Sequence, residues 1–196
     1  MTDREWDRRL RIKTIGREDE SDPNCAPYEP TPYAVLERVA ESGYIRRRDR
    51  LLDYGCGKGR VAFFMAHAVG CAAVGIDHAQ RLIDLARENR RACPAGDRVA
   101  LFFARAEQHP LGDETAFFFF NPFSEKIFDS VLRRILASCR ENPRRATLLC
   151  YYPSEAYLQR LDAAEELRPL EPIDCRDLFG GKNPREQVAC YRFDNP

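Results

Sequence analysis

Apolar positions along the chain follow two alternating patterns. Short, almost wholly apolar runs at 50–54, 71–76, 98–103, 116–120 and 146–151 read as strands buried on both faces. Between and after them, 60–69, 79–92, 124–140 and 154–161 carry apolar residues at helical spacing. Leu82, Leu85, Ala86 and Asn89 show that period, as do Ile127, Val131, Leu132, Ile135 and Leu136. Strands alternating with helices predict a doubly wound α/β fold with right-handed crossovers. The ends differ. Residues 1–13 read as a charged helix. The stretch 16–27 is polar with two prolines and reads as a linker or mobile loop. Residues 31–41 read as a helix with Thr31 as its cap and Pro32 at its first position. After Leu167, runs at 170–175 and 187–193 are separated by too few residues for a crossover helix. They predict an antiparallel pair at the sheet edge, making seven strands.

The chain has 196 residues, enough for one domain with a real core. The expected division is a charged arm or linker over 1–27 and a domain over 28–196. Hydrophobic residues make up 44% and charged residues 32%, which excludes wholesale disorder. Lys+Arg and Asp+Glu both number 31, so a bulk polyanion binder is not expected. No apolar run approaches the roughly 18 residues of a membrane span. The charged N-terminus lacks a signal peptide's apolar stretch. A cytoplasmic location is therefore expected, with no membrane partner. None of the eight cysteines forms a CxxC pair or clusters with histidine, so they read as buried thiols, with neither disulfide framework nor zinc site. His67, His78 and His109 are scattered and suggest no ligand set. The arginine runs 46–48 and 8–11 are interleaved with acids and read as solvated surface, leaving no strong nucleic-acid signal.

The most informative stretch is Leu51-Leu52-Asp53-Tyr54-Gly55-Cys56-Gly57-Lys58-Gly59-Arg60. A strand runs into three alternating glycines and then a helix. Glycines permit positive φ and close backbone approach, and a helix start offers free N–H groups to a ligand. A dinucleotide fingerprint would place its third glycine at position 60, where Arg60 stands. A phosphate-binding P-loop is absent. A second marker is Asp77, at the tip of the second strand, which reads also as a cap of the next helix.

This acid-x-Gly-x-Gly-x-Gly segment, with Asp77 and the strand–helix order, resembles motif I of class I S-adenosylmethionine (SAM)-dependent methyltransferases. The resemblance covers about residues 28–196 and implies a seven-stranded Rossmann-like sheet with an antiparallel C-terminal hairpin. It implies a SAM-dependent methyltransferase with S-adenosyl-L-homocysteine as product. Asp53, Gly55, Cys56, Gly57 and Gly59 would surround the methionine part, Asp77 with His78 the ribose, and Ala106 with Glu107 the adenine. Glu107 reads equally as a solvated cap, and Lys58 as an exposed loop residue. Asn121-Pro122-Phe123 resembles the Asn-Pro-Pro-Tyr-type motif of methyltransferases acting on planar amino groups, without its second proline. That likeness implies N-methylation of an amino or amide-like nitrogen, with Asn121 orienting the nucleophile and also touching the cofactor. Pro122, Phe123 and Tyr152 would shape the acceptor pocket. The same residues read as a strand-to-helix turn capped by Ser124, and Tyr151-Tyr152 as edge packing. The segment Tyr28-Glu29-Pro30-Thr31-Pro32-Tyr33 is similar to one that folds over the cofactor in small archaeal and mitochondrial-type lysine methyltransferases, which implies contacts from Tyr28 and Thr31. The acceptor stays open among protein lysine, small molecule and RNA. A catalytically inactive SAM-binding interaction protein is the alternative of a different class.

Overall fold

The computed structural model describes residues 1–18 and 22–194. Residues 19–21, within the expected linker, lie outside the described residues. Five strands are parallel: β1 (Arg50–Tyr54), β2 (Ala72–Asp77), β3 (Val99–Phe103), β4 (Ala116–Phe119) and β5 (Ala146–Tyr151). Three more are antiparallel to their neighbours: β6 (Leu167–Pro169), β7 (Ile173–Asp174) and β8 (Gln187–Phe193). The sheet runs β3-β2-β1-β4-β5-β8-β6, with β7 also on β8. Its order reverses between β1 and β4, which opens a crevice at the carboxyl ends of these strands.

The helices are α1 (Asp3–Leu10), α2 (Tyr33–Glu41), α3 (Arg60–Ala68), α4 (Gln80–Ala92), α5 (Glu125–Glu141) and α6 (Glu155–Asp162). One apolar core joins the first four to one sheet face through Leu10, Leu36, Phe64 and Ile83. A second core joins α5 and α6 to the other face through Phe128, Ile135 and Leu161. Burial on both faces is why the strands are apolar throughout: β5 is buried at every position.

The sheet edge differs from expectation. Of the strand expected at 170–175 only Ile173–Asp174 (β7) forms, and a second short piece, β6, precedes the expected run; both lie against β8. β6 pairs with its last three residues and β7 with its first two. Pro169 and Pro172 lack the N–H a continuous ladder needs, so the edge strand is broken there. Among the described residues the sheet has eight strands where seven were expected.

The N-terminal segment also packs more closely than a polar arm suggests. A Thr2–Glu5 capping box opens α1, whose Trp6 and Leu10 are buried in the core of the domain. Trp6 packs edge-on against Phe64 with ring centroids 4.9 Å apart. Thr31 does not cap α2. Pro32 occupies the cap position, and the Asp3 carboxylate accepts the Tyr33 N–H at 3.2 Å.

Candidate active site

The glycine loop begins as β1 ends. Gly55, Gly57 and Gly59 have φ of +70°, +53° and +85°, a region that only glycine enters without strain. Two of them are also contact points. A Cβ on Gly55 would lie 2.5 Å from Pro122 Cβ, and one on Gly57 would lie 2.2 Å from the Tyr28 ring. The loop therefore carries the turn after β4 on one side and the N-terminal segment on the other. Gly59 instead faces Phe63 and caps α3.

Asp77, at the end of β2, fixes this loop. Its Oδ2 accepts the Gly57 N–H at 2.8 Å and its Oδ1 accepts the Ala79 N–H at 2.9 Å. Asp53 is 2% exposed, and its Oδ2 has no hydrogen-bond partner among the described residues. Burial, then the neighbouring Asp77 carboxylate, push the Asp53 carboxyl up to about 8. From α4, Asn89 donates to the Lys58 carbonyl at 3.0 Å, which holds the loop from behind. Lys58 is not an exposed loop residue. It is buried, 2.8 Å from a Glu18 oxygen and 4.7 Å from the centroid of the Tyr28 ring.

A cleft of about 710 Å³ opens in front of the loop. Gly55, Ile76, Asp77 and His78 form its floor, and Ala104–Glu107 its β3 side. Arg134, from α5, donates to the Glu107 and His109 carbonyls and holds that side in place. Cys25–Glu29 form the roof, and Phe120, Pro122, Phe123 and Ile127 the far wall. The roof is strapped down by backbone bonds: Ala26 N–H to the Pro122 carbonyl at 3.1 Å and Ser124 N–H to the Asn24 carbonyl at 2.7 Å. The Tyr28 hydroxyl donates to the Thr14 carbonyl at 2.5 Å.

Known proteins match this architecture. Residues 51–144 match the family described as a methyltransferase domain. A 27-O-demethylrifamycin SV methyltransferase from Amycolatopsis mediterranei (strain S699) is 32% identical over 92 residues, 47% of this chain. The chain spans 34% of that relative's length. An RNA methyltransferase from Salinibacter ruber, solved with S-adenosyl-L-homocysteine, superposes with a TM-score of 0.60 at 20% identity, over 86% of this chain and 94% of its own. The CcbJ methyltransferase from Streptomyces caelestis does so with 0.60 at 17% identity, over 84% and 91%. Together these matches support the class I SAM-dependent methyltransferase superfamily.

The residues present fit the cofactor of that superfamily. The unmet Asp53 oxygen is an acceptor suited to a cationic amine, and the glycine loop leaves backbone where side chains would intrude. Of the residues expected at the site, Tyr28, Gly55, Asp77, His78, Ala106, Glu107, Pro122 and Phe123 line one cleft. Gly57 lies under the Tyr28 ring, and Asp53 is buried within electrostatic reach of Asp77. Others are directed elsewhere. Thr31 is buried and its carbonyl accepts from Arg60 at 3.0 Å. Cys56 points its thiol beneath the loop, toward Gly75 of β2. Burial pushes that thiol well above the ordinary range.

Asn121 sits outside the cleft lining. Its amide donates to the Tyr152 carbonyl at 2.5 Å, and its oxygen accepts the Ser154 N–H at 3.1 Å. Both residues at these strand ends have positive φ, +41° at Asn121 and +49° at Tyr152, so the tie holds two strained turns together. Tyr152 is anchored to the 183–187 loop: its hydroxyl accepts from Asn183 at 2.8 Å and Arg185 lies 4.1 Å over its ring. Ser124 is the N-cap residue of α5, but its side chain makes no capping bond.

The structure also supplies site residues that sequence spacing did not indicate. Cys25, Ala26 and Pro27 form the roof, and Phe120 and Ile127 the wall. Asp22, Cys25 and His78 bring ligand-type atoms within 4.8 Å of one another at the rim, although 53 residues separate Cys25 from His78 in the chain. No sequence motif signals such a grouping, because the strap places it.

Proposed function

We propose that this chain is a SAM-dependent methyltransferase whose cofactor lies in the cleft between the glycine loop, the ends of β2 and β3, and the strap at 22–29. The observation that carries this reading is the buried Asp53 carboxylate, unmet at one oxygen, beside an Asp77 that already orders the loop. Asp53 would accept the methionine ammonium. Asp77, in the cleft lining at the tip of β2, would accept ribose hydroxyls. The half-buried Glu107 and the backbone at Ala106 stand where the adenine edge would lie. When bound, SAM supplies a sulfonium methyl group that passes in line to an acceptor lone pair, leaving S-adenosylhomocysteine. The protein's part is alignment and exclusion of water, which Phe120, Pro122 and Phe123 provide on the acceptor side.

The acceptor, in this reading, carries a nucleophilic nitrogen or oxygen. A planar amino group finds less support than its motif implies. The Asn121 amide is tied to β5 and the Pro122 carbonyl accepts from Ala26, so both expected hydrogen-bond acceptors are already engaged. That relative from Amycolatopsis, named for an O-demethylated substrate, makes oxygen an equal candidate. The strap closed over the acceptor side also favours the second reading, a SAM-binding protein without turnover.

Calorimetry with SAM, S-adenosylhomocysteine and NADH tests the cofactor: the first two should bind and the third should not. Asp77→Ala should weaken SAM binding by about 1–3 kcal/mol, and an unchanged affinity would remove the ribose assignment. Labelled-methyl transfer into a lysate divided into protein, RNA and small-molecule fractions names the acceptor class. No incorporation in any fraction, with SAM bound, would leave the non-catalytic reading.

A further inference from the structure

At the opposite end of the sheet from the cleft, a second concavity of about 690 Å³ lies beneath the starts of β1, β4 and β5 and the end of β8. Five arginines line it: Arg46, Arg48, Arg144, Arg145 and Arg192. Among the described residues, Asp49 is the one acid in the lining, and its carboxylate is taken by uncharged donors, the Arg46 backbone N–H at 2.6 Å and the Thr115 hydroxyl at 2.9 Å. Arg145 pairs with Asp194 at 3.1 Å, an acid that Arg168 shares at 2.9 Å. Among the described residues, no carboxylate forms an ion pair with the side chains of Arg46, Arg48, Arg144 or Arg192. The chain as a whole carries equal numbers of acids and bases, so this is a local excess of positive charge.

The arginines are also set in place. Arg144 is held by the carbonyls of Glu114, Ser138 and Asn142 at 2.8–3.0 Å, bonds that orient the guanidinium without neutralising it. The Arg192 Nε is buried with no hydrogen-bond partner among the described residues. A buried donor left unmet is costly. The cations are all arginine, whose planar forks match the oxygens of phosphate groups.

We propose that this concavity binds a compact phosphate-bearing polyanion at a site separate from the methyl-transfer cleft. Phosphate is favoured over a peptide carboxylate because the charges converge on a hollow rather than line a stripe. The shared chemistry comes from free polyphosphate or from a nucleic-acid backbone.

The test is calorimetric titration of the full chain with inorganic tripolyphosphate, then with a short single-stranded RNA and with a glutamate-rich peptide. Tripolyphosphate should bind, more weakly as salt rises. The double variant Arg46→Glu/Arg48→Glu, at two exposed positions, should lose roughly tenfold or more in affinity. Its affinity for S-adenosylhomocysteine should be unchanged, which shows the fold intact. RNA that binds and is displaced by tripolyphosphate assigns the source to a nucleic-acid backbone. Binding of tripolyphosphate alone assigns it to free polyphosphate. No tripolyphosphate binding to the native protein, equal binding by the double variant, or binding of the peptide alone would overturn the proposal. The proposal stands on charge and shape at this end of the sheet, so failure of the cofactor assignment leaves it intact.

Discussion

Asp53 shows how much one buried carboxylate can govern. Its folded pKa, about 8, lies above the ordinary carboxylate value of 3.8. The folded state therefore holds the Asp53 proton more tightly than the unfolded chain. Its contribution to stability is fullest below about pH 4 and is lost as pH rises toward 8. Asp53→Asn should flatten that part of the pH–stability curve, measured by denaturant unfolding of the ligand-free protein. An ammonium ligand reverses the preference, because it favours the carboxylate. SAM binding near neutral pH should then release a proton, and binding well above pH 8 should release none. Calorimetry in buffers of different ionisation enthalpy reads this directly. Gly57 makes a second residue-scale point. Alanine there meets the Tyr28 ring at 2.2 Å and a φ of +53°, so Gly57→Ala should weaken SAM binding and cost roughly 1–2 kcal/mol of stability. If the ring contact matters, combining it with Tyr28→Ala should cost less than the two separate losses added together.

Among the elements, α1 and α3 are joined through a side chain at an unexpected position. Arg60 opens α3 where a dinucleotide fingerprint would need glycine, and it is 2% exposed. Its Nε donates to the Thr14 hydroxyl at 2.7 Å, another nitrogen reaches Asp3 at 2.5 Å, and the guanidinium stacks 4.3 Å over Tyr33. Asp7 completes the cluster, accepting from the Thr14 and Tyr33 hydroxyls at 2.6 and 2.7 Å. Removing one member of a buried charged set leaves the others without compensation. Arg60→Met should cost about 3 kcal/mol or more in chemical denaturation and expose α1 to limited proteolysis. Arg60→Lys should rescue little, because one ammonium cannot meet Asp3, Thr14 and the Thr31 carbonyl together. In the sequence, Arg60 disfavoured a dinucleotide fingerprint. The sequence could not show what the arginine does, since its partners lie 29 to 57 residues away.

At the scale of the molecule, the strap at 22–29, the glycine loop and the strand ends form one site only when the whole sheet is assembled. A ligand that binds this assembly and not the unfolded chain should raise stability by about 2.7 kcal/mol at a hundredfold excess over its dissociation constant. S-adenosylhomocysteine should therefore raise the melting temperature by several degrees, and the Asp77→Ala variant should show a smaller rise. The sequence by itself determined the βα alternation, because buried parallel strands must be apolar throughout and helices must carry one apolar face. It also determined the positions of β1 and β5, the glycine loop and the acid at the tip of β2, since these are local patterns with local causes. Tertiary structure decided the rest. It split the edge strand where two prolines lack donors, and it buried Lys58 against Glu18 rather than exposing it. It also turned Asn121 toward the β5 end, because two strained turns there need a hydrogen-bonding tie. Each of these outcomes depends on a partner distant in sequence, and residue spacing carries no record of such a partner.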